Sequence, residues 1–151
     1  KTMITEKQTG ATRRVELFEM LEDIQAAKNK KTRIDMIKHY ARMSAFCDYL
    51  RCTFDDRIQF LLPKGAPPYT PNPEGAQPST WARQNTKLAY LITGGRGEDL
   101  TPVKRESMFI GMLESVHPQD ALLLTDMISK KCPHPAIKKA LIEEAVPGLV
   151  M

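Results

Sequence analysis

Residues 63–79 limit the fold more than any other part of the chain. Six prolines fall there (Pro63, Pro67, Pro68, Pro71, Pro73 and Pro78), together with Gly65 and Gly75. A proline has no amide donor for a helix interior or a central strand, and its ring fixes φ. The segment is therefore neither helix nor sheet and reads as an extended, polyproline-like crossing loop. It lies inside a chain of 151 residues, a length suited to one domain. A loop this long within one domain is uncommon unless it has a function of its own or is disordered.

On both sides of it, apolar residues recur at helical spacing. A helix is expected from near Thr12, with Val15, Phe18 and Leu21 inward, fading at the polar run Lys28-Asn29-Lys30-Lys31. Thr32 with Asp35 reads as the cap of a second helix carrying Ile34, Ile37 and Tyr40. Ser44 reads as the cap of a third, anchored by Phe46, Tyr49 and Leu50. The run Ile58 to Leu62 fits a helical turn or an extended stretch equally well. Beyond the loop, helices are expected over Thr80 to Thr93, from Thr101-Pro102, from His117-Pro118, and from His134-Pro135 to Pro147-Gly148.

No alternating β-branched strand appears. The expected fold is all-α, a compact bundle of six to eight short helices with an internal proline-rich loop. Residues 1–11 read as a flexible N-terminal arm and residues 12–151 as a single helical domain. Phe18, Leu21, Ile37, Phe46, Leu88, Phe109, Leu113, Leu124 and Leu141 are expected in one core.

Hydrophobic residues at 42% and charged residues at 26% exclude a disordered chain. The apolar run from Ala121 to Leu124 is too short to cross a bilayer. No apolar stretch follows Lys1, so no signal peptide is expected. The three cysteines are an odd number and suit a reducing cytoplasm without disulfides.

Motifs that carry chemistry are scarce. Gly94-Gly95-Arg96-Gly97 follows a helix rather than a strand, and no lysine-serine/threonine pair follows it, so it reads as a helix C-cap and loop. Cys47, Cys52, Cys132, His117 and His134 lack the paired short spacings of a zinc site. Ser107, Ser115 and the acids Asp55-Asp56 have no catalytic context. No catalytic residue, metal or cofactor is expected.

The net charge is +4 and the pI about 9.0. Lys28, Lys30, Lys31 and Arg33, with Lys38 and Arg42, crowd one part of the sequence. They suit nucleic acid or an acidic partner, though a solvated basic face is the plainer reading and no nucleic-acid-binding motif accompanies them.

Several stretches together resemble a known group of sequences. They are Asn29 to Asp35, Phe54 to Pro63, Gly65-Ala66-Pro67-Pro68-Tyr69, the string from Arg105 through Leu113-Glu114-Ser115-Val116-His117-Pro118, and Lys138-Lys139-Ala140-Leu141 with Pro147-Gly148-Leu149. The chain is similar over roughly residues 15–150 to a family of small uncharacterised proteins encoded by large tailed bacteriophages, including contractile-tailed phages of marine cyanobacteria. The resemblance implies a viral origin and action in the host bacterial cytoplasm or presence in the particle. It carries no catalytic residue.

The expected function is that of a non-enzymatic interaction module for a phage or host protein, in phage replication or gene expression. A direct DNA or RNA binder and a minor virion or assembly component are the alternatives. The expected docking face is the proline-rich segment with Pro67 and Pro68, anchored by the aromatic residues Tyr69 and Trp81. Its counter-reading has Tyr69 packing the loop onto its own domain and Trp81 in the core.

Overall fold

The computed structural model describes residues 15–151. The expected arm over 1–11 and the helix start near Thr12 lie outside the described residues. Among the described residues seven α-helices follow one another: α1 (Leu17–Ala26), α2 (Lys30–Tyr40), α3 (Ser44–Phe54), α4 (Trp81–Gln84), α5 (Pro102–Leu113), α6 (Pro118–Met127) and α7 (Lys139–Ala145). The helix α4 runs straight into a 3-10 segment over Asn85–Tyr90, and a further 3-10 turn covers Arg96–Asp99. The described residues hold no sheet; Phe60 and Ile92 make an isolated antiparallel bridge. The fold is all-α, as the sequence implies.

The architecture follows from which helices can be buried all round. Helix α6 buries Asp120, Ala121, Leu123, Leu124, Thr125 and Met127, so it has no wide polar face, the pattern of a central helix. Helices α1, α3 and α5 each pack on it, while α2 packs against α1 and α7. Phe46, Tyr49, Leu21, Ile37, Phe109, Leu113 and Leu124 are fully buried. Leu88 and Leu141 join them, and Phe18 is only half-buried at the core's edge.

Several boundaries differ from the sequence reading. Helix α2 starts two residues before Thr32, because the Asn29 side chain takes the cap role and accepts from the Thr32 amide at 2.9 Å. Lys30 and Lys31 thus open α2 instead of closing α1. Ser44 is the first residue of α3 and Met43 its cap. Thr101 caps α5 as expected, accepting from the Lys104 amide. His117 caps α6 through its ring, with Nδ1 accepting from the Gln119 amide at 3.0 Å. The His134-Pro135 step makes a turn, and α7 begins only at Lys139. The helix expected over Thr80 to Thr93 tightens into 3-10 geometry after Gln84. There the chain folds back so closely that a Cβ at Gly97 would collide with the Tyr90 carbonyl.

Candidate functional site

The proline segment is a strap pinned across the C-terminal end of α5. Prolines offer few amides, so the remaining donors do the pinning. The Thr70 amide donates to the Glu114 carboxylate at 2.8 Å. Asn72 Nδ2 donates to the carbonyls of Glu114 and Val116, both at 2.9 Å. The Ser79 amide donates to the Ser115 carbonyl at 2.8 Å, and Gln77 Nε2 to the Glu16 carboxylate at 3.0 Å. Gly65 and Gly75 turn the strap with φ of +93° and +83°, values that favour glycine.

Pro63, Pro68, Pro71, Pro73 and Pro78 are exposed, and Pro67 is half-buried. Between the first limb of the strap and the bundle lies a cleft of about 220 Å³. Leu62, Pro63, Pro67 and Pro68 form its wall, with Phe109 of α5 and Ile128 beyond α6 opposite. Lys64 and Glu106 also line it, so its charges offset.

The two aromatic anchors are placed differently from the docking expectation. Trp81 is 3% exposed, and its indole Nε1 donates to the Ala45 carbonyl at 2.8 Å. It joins the strap's far end to α3 and is closed to a partner. Tyr69 is half-buried and packed on the core; burial pushes its phenol up from the usual tyrosine value. Tyr69 therefore holds the strap down, while Pro67 and Pro68 remain at the cleft.

The basic run is also divided. Arg33 turns inward. Its Nε donates to the Ile24 carbonyl at 3.1 Å, and Nη2 to those of Gln25 and Ala27 at 3.3 and 2.8 Å. These carbonyls end α1, so the guanidinium is its C-terminal cap. Lys30 pairs with Glu144 at 2.8 Å and Lys31 with Asp35 at 3.2 Å, all four side chains exposed. Lys28 is exposed. The four residues do not form one open cationic patch.

Two more cations repeat the Arg33 arrangement, and sequence spacing gave no sign of them. Arg105 donates to the carbonyls of Leu61, Gly97 and Leu100 at 3.1, 2.6 and 2.6 Å. Lys130 Nζ donates to those of Cys52, Asp55 and Ile58 at 2.6, 2.8 and 2.8 Å, closing the end of α3. Burial lowers Lys130 from the ordinary lysine value, against the pull of the Cys52 thiol, Asp55 and Asp56. Its φ is +60°, the left-handed position after a helix that glycine usually fills.

Two buried carboxyls serve helix ends in the same way. Asp55 ends α3, and the Arg57 guanidinium and amide donate to it at 2.8 to 3.0 Å, holding it down to about 2. Asp120 is fully buried. It accepts from the amides of Leu17 and Phe18 at 3.3 and 2.8 Å, so α6 caps the start of α1. Burial, with Glu16 and Glu19 adding repulsion, pushes Asp120 up to about 7 despite those two donors.

Cys47, Cys52 and Cys132 are free. Burial pushes the Cys52 thiol up to about 12, the opposite of an activated nucleophile. Among the described residues no group of three or more His, Cys, Asp or Glu side chains is placed to hold a metal, and no helix is long and apolar enough to cross a membrane.

The model of a family of unknown function, DUF6433, matches residues 20–133 of the chain. The strap and the three carbonyl-capping cations lie within that span, and α7 lies beyond it. No curated protein matches the chain.

Proposed function

The chain belongs to DUF6433, a family of unknown function, and we propose that it is a non-enzymatic accessory protein of a tailed bacteriophage that docks a phage or host protein in the bacterial cytoplasm. The viral setting rests on the resemblance of the stretches from Asn29 to Leu149. The docking role rests on one observation: the strap is held by its own donors yet presents proline to solvent. A surface already held in its binding conformation loses little entropy on association. The cleft beneath Pro67 and Pro68 supplies a pocket of about 220 Å³. That size and its offset charges suit one large apolar side chain of a partner, the kind of anchor that dominates interface energies.

The test uses the tagged full chain and a Pro68→Glu/Ala66→Glu variant, both in phage-infected cells. Both positions are exposed, so circular dichroism is expected to match the parent and stability to fall by no more than the ~1 kcal/mol that loss of one proline costs through the unfolded chain. The specific partner is expected to be lost from the variant. Capture of the same proteins by both forms removes the strap as the docking face. A steep salt-dependent affinity for plain duplex DNA, abolished by Lys28→Glu/Lys31→Glu, would replace this reading with direct nucleic-acid binding.

A further inference from the structure

A second cleft, of about 370 Å³, shares no lining residue with the first. Helix α1 gives it Phe18 and, one turn on, Glu22; helix α6 gives it Leu122 and, one turn on, Asp126. Side chains four apart on a helix are neighbours, so each helix presents an apolar group followed by a carboxylate. Pro133 and His134 close the side.

Three features set this cleft apart from ordinary surface. Leu122 is 57% exposed on a helix otherwise buried nearly all round. Glu22 and Asp126 are engaged by no ion pair among the described residues. Neither lysine nor arginine lines the cleft, although the chain as a whole carries a net charge of +4. Burial lowers His134 from the ordinary histidine value, against the pull of Glu22.

We infer that this cleft binds a basic peptide segment of another protein, taking an arginine or lysine whose stem lies on Phe18 and Leu122 and whose cation meets Glu22 and Asp126. Long cationic side chains bury their methylenes on apolar surface while the charge stays at the rim. A cleft of this size holds one such side chain and part of its neighbour, which fits a peptide with alternating apolar and basic residues. The carboxylates give orientation and on-rate, and the apolar floor gives contact area.

The probe is an acetylated leucyl-arginyl-leucyl-arginine amide, titrated into the isotopically labelled full chain and followed by amide NMR shifts. Shifts are expected at residues 18–22, 119–126 and 133–134. Glu22→Gln/Asp126→Asn is expected to weaken binding at least about tenfold, with the amide spectrum otherwise unchanged. The same peptide with citrulline for arginine is expected to bind no better than that variant. Shifts centred elsewhere, equal binding of the citrulline peptide, or equal affinity in the double variant would overturn the inference. So would spermidine binding as tightly as the peptide, which makes the site one for small polyamines. Self-association in sedimentation runs that Leu122→Glu abolishes would also overturn it, because a second copy would then be the occupant.

Discussion

The strap over residues 63–79 and the charged groups around the helix ends reverse the usual arrangement of a small domain. The strap turns apolar proline rings outward. Arg33, Arg105, Lys130 and Asp120 turn charge inward onto backbone carbonyls and amides. The reason is the shortness of the helices, 4 to 12 residues each. Short helices leave a large share of their carbonyls and amides without an intrahelical partner. Distant side chains satisfy those groups here, so part of the basic surplus serves the fold. The difference separates two kinds of positive charge that look alike in sequence, and removing each kind should have very different effects.

The largest expected effect belongs to Asp120. A carboxyl whose folded value is raised from 3.8 to about 7 contributes stability that is complete below pH 3.8 and lost as pH rises through 7. In that window the unfolded chain has released its proton while the folded chain still holds it. Asp120→Asn cannot ionise, so relative to the parent it should gain up to about 4 kcal/mol between pH 4 and pH 8. It should also carry a fixed cost of about 1 kcal/mol for the amide it no longer satisfies. Urea unfolding across that range checks this. A constant difference between the two proteins would place Asp120 with ordinary surface acids and weaken the comparison.

Lys130 comes next. Lys130→Met keeps the stem and removes three hydrogen bonds from a charged donor, leaving the end of α3 uncapped. The expected cost is about 2–3 kcal/mol, held below the value for a fully buried charge because the side chain is partly exposed. Lys130→Gly loses the same bonds but relieves the left-handed backbone, so it should be about 1 kcal/mol less harmful than Lys130→Met. Equal stability of the two variants would mean that the backbone conformation costs nothing there. Arg33→Gln should cost about 1–2 kcal/mol by uncapping α1. In contrast, Lys28→Glu/Lys31→Glu should stay within about 0.5 kcal/mol. If Arg33→Gln proves as mild as that pair, the basic run has no inward member.

These differences also explain what the sequence could reveal. Period and capping are local, so the helices that start at Thr101-Pro102 and His117-Pro118 were legible. So were the strap's exclusion from helix and the core placement of Leu21, Phe109 and Leu113. Asn29 outcompeted Thr32 as a cap because both are competent, and spacing alone cannot rank them. The caps made by Lys130 and Asp120 were illegible because their partners lie far off in the chain: Lys130 reaches the Cys52 carbonyl, and Asp120 accepts from the Leu17 amide. Trp81 belonged with the core on burial grounds. Its position beside the strap suggested an anchor, but its indole needed a carbonyl and found Ala45. The cleft between α1 and α6 left a trace in the i, i+4 pairs Phe18/Glu22 and Leu122/Asp126. Each pair alone looks like an ordinary helix edge, and only packing brings them together.

A similarly small effect on stability is expected at the strap's exposed rings, and it is the sharpest test of the comparison. Pro68 is exposed, and the amides that pin the strap belong to Gly65, Thr70 and Ser79. Pro68→Ala removes no hydrogen bond and no core contact. It does give the unfolded chain more freedom, a penalty of at most about 0.5–1 kcal/mol. Thr70→Pro, by contrast, deletes the amide that donates to Glu114 at 2.8 Å, and should release the strap's centre at a cost of about 1–2 kcal/mol. Limited proteolysis reads the difference, because cleavage between residues 66 and 78 needs local opening. Pro68→Ala should be cut at nearly the parent's rate, and Thr70→Pro about tenfold faster, since each ~1.4 kcal/mol of local stability is a factor of ten in the open population. If both variants were cut alike, the strap's order would come from its prolines and not from its pins. Its outward rings would then be a consequence of stiffness, with no prepared surface behind them.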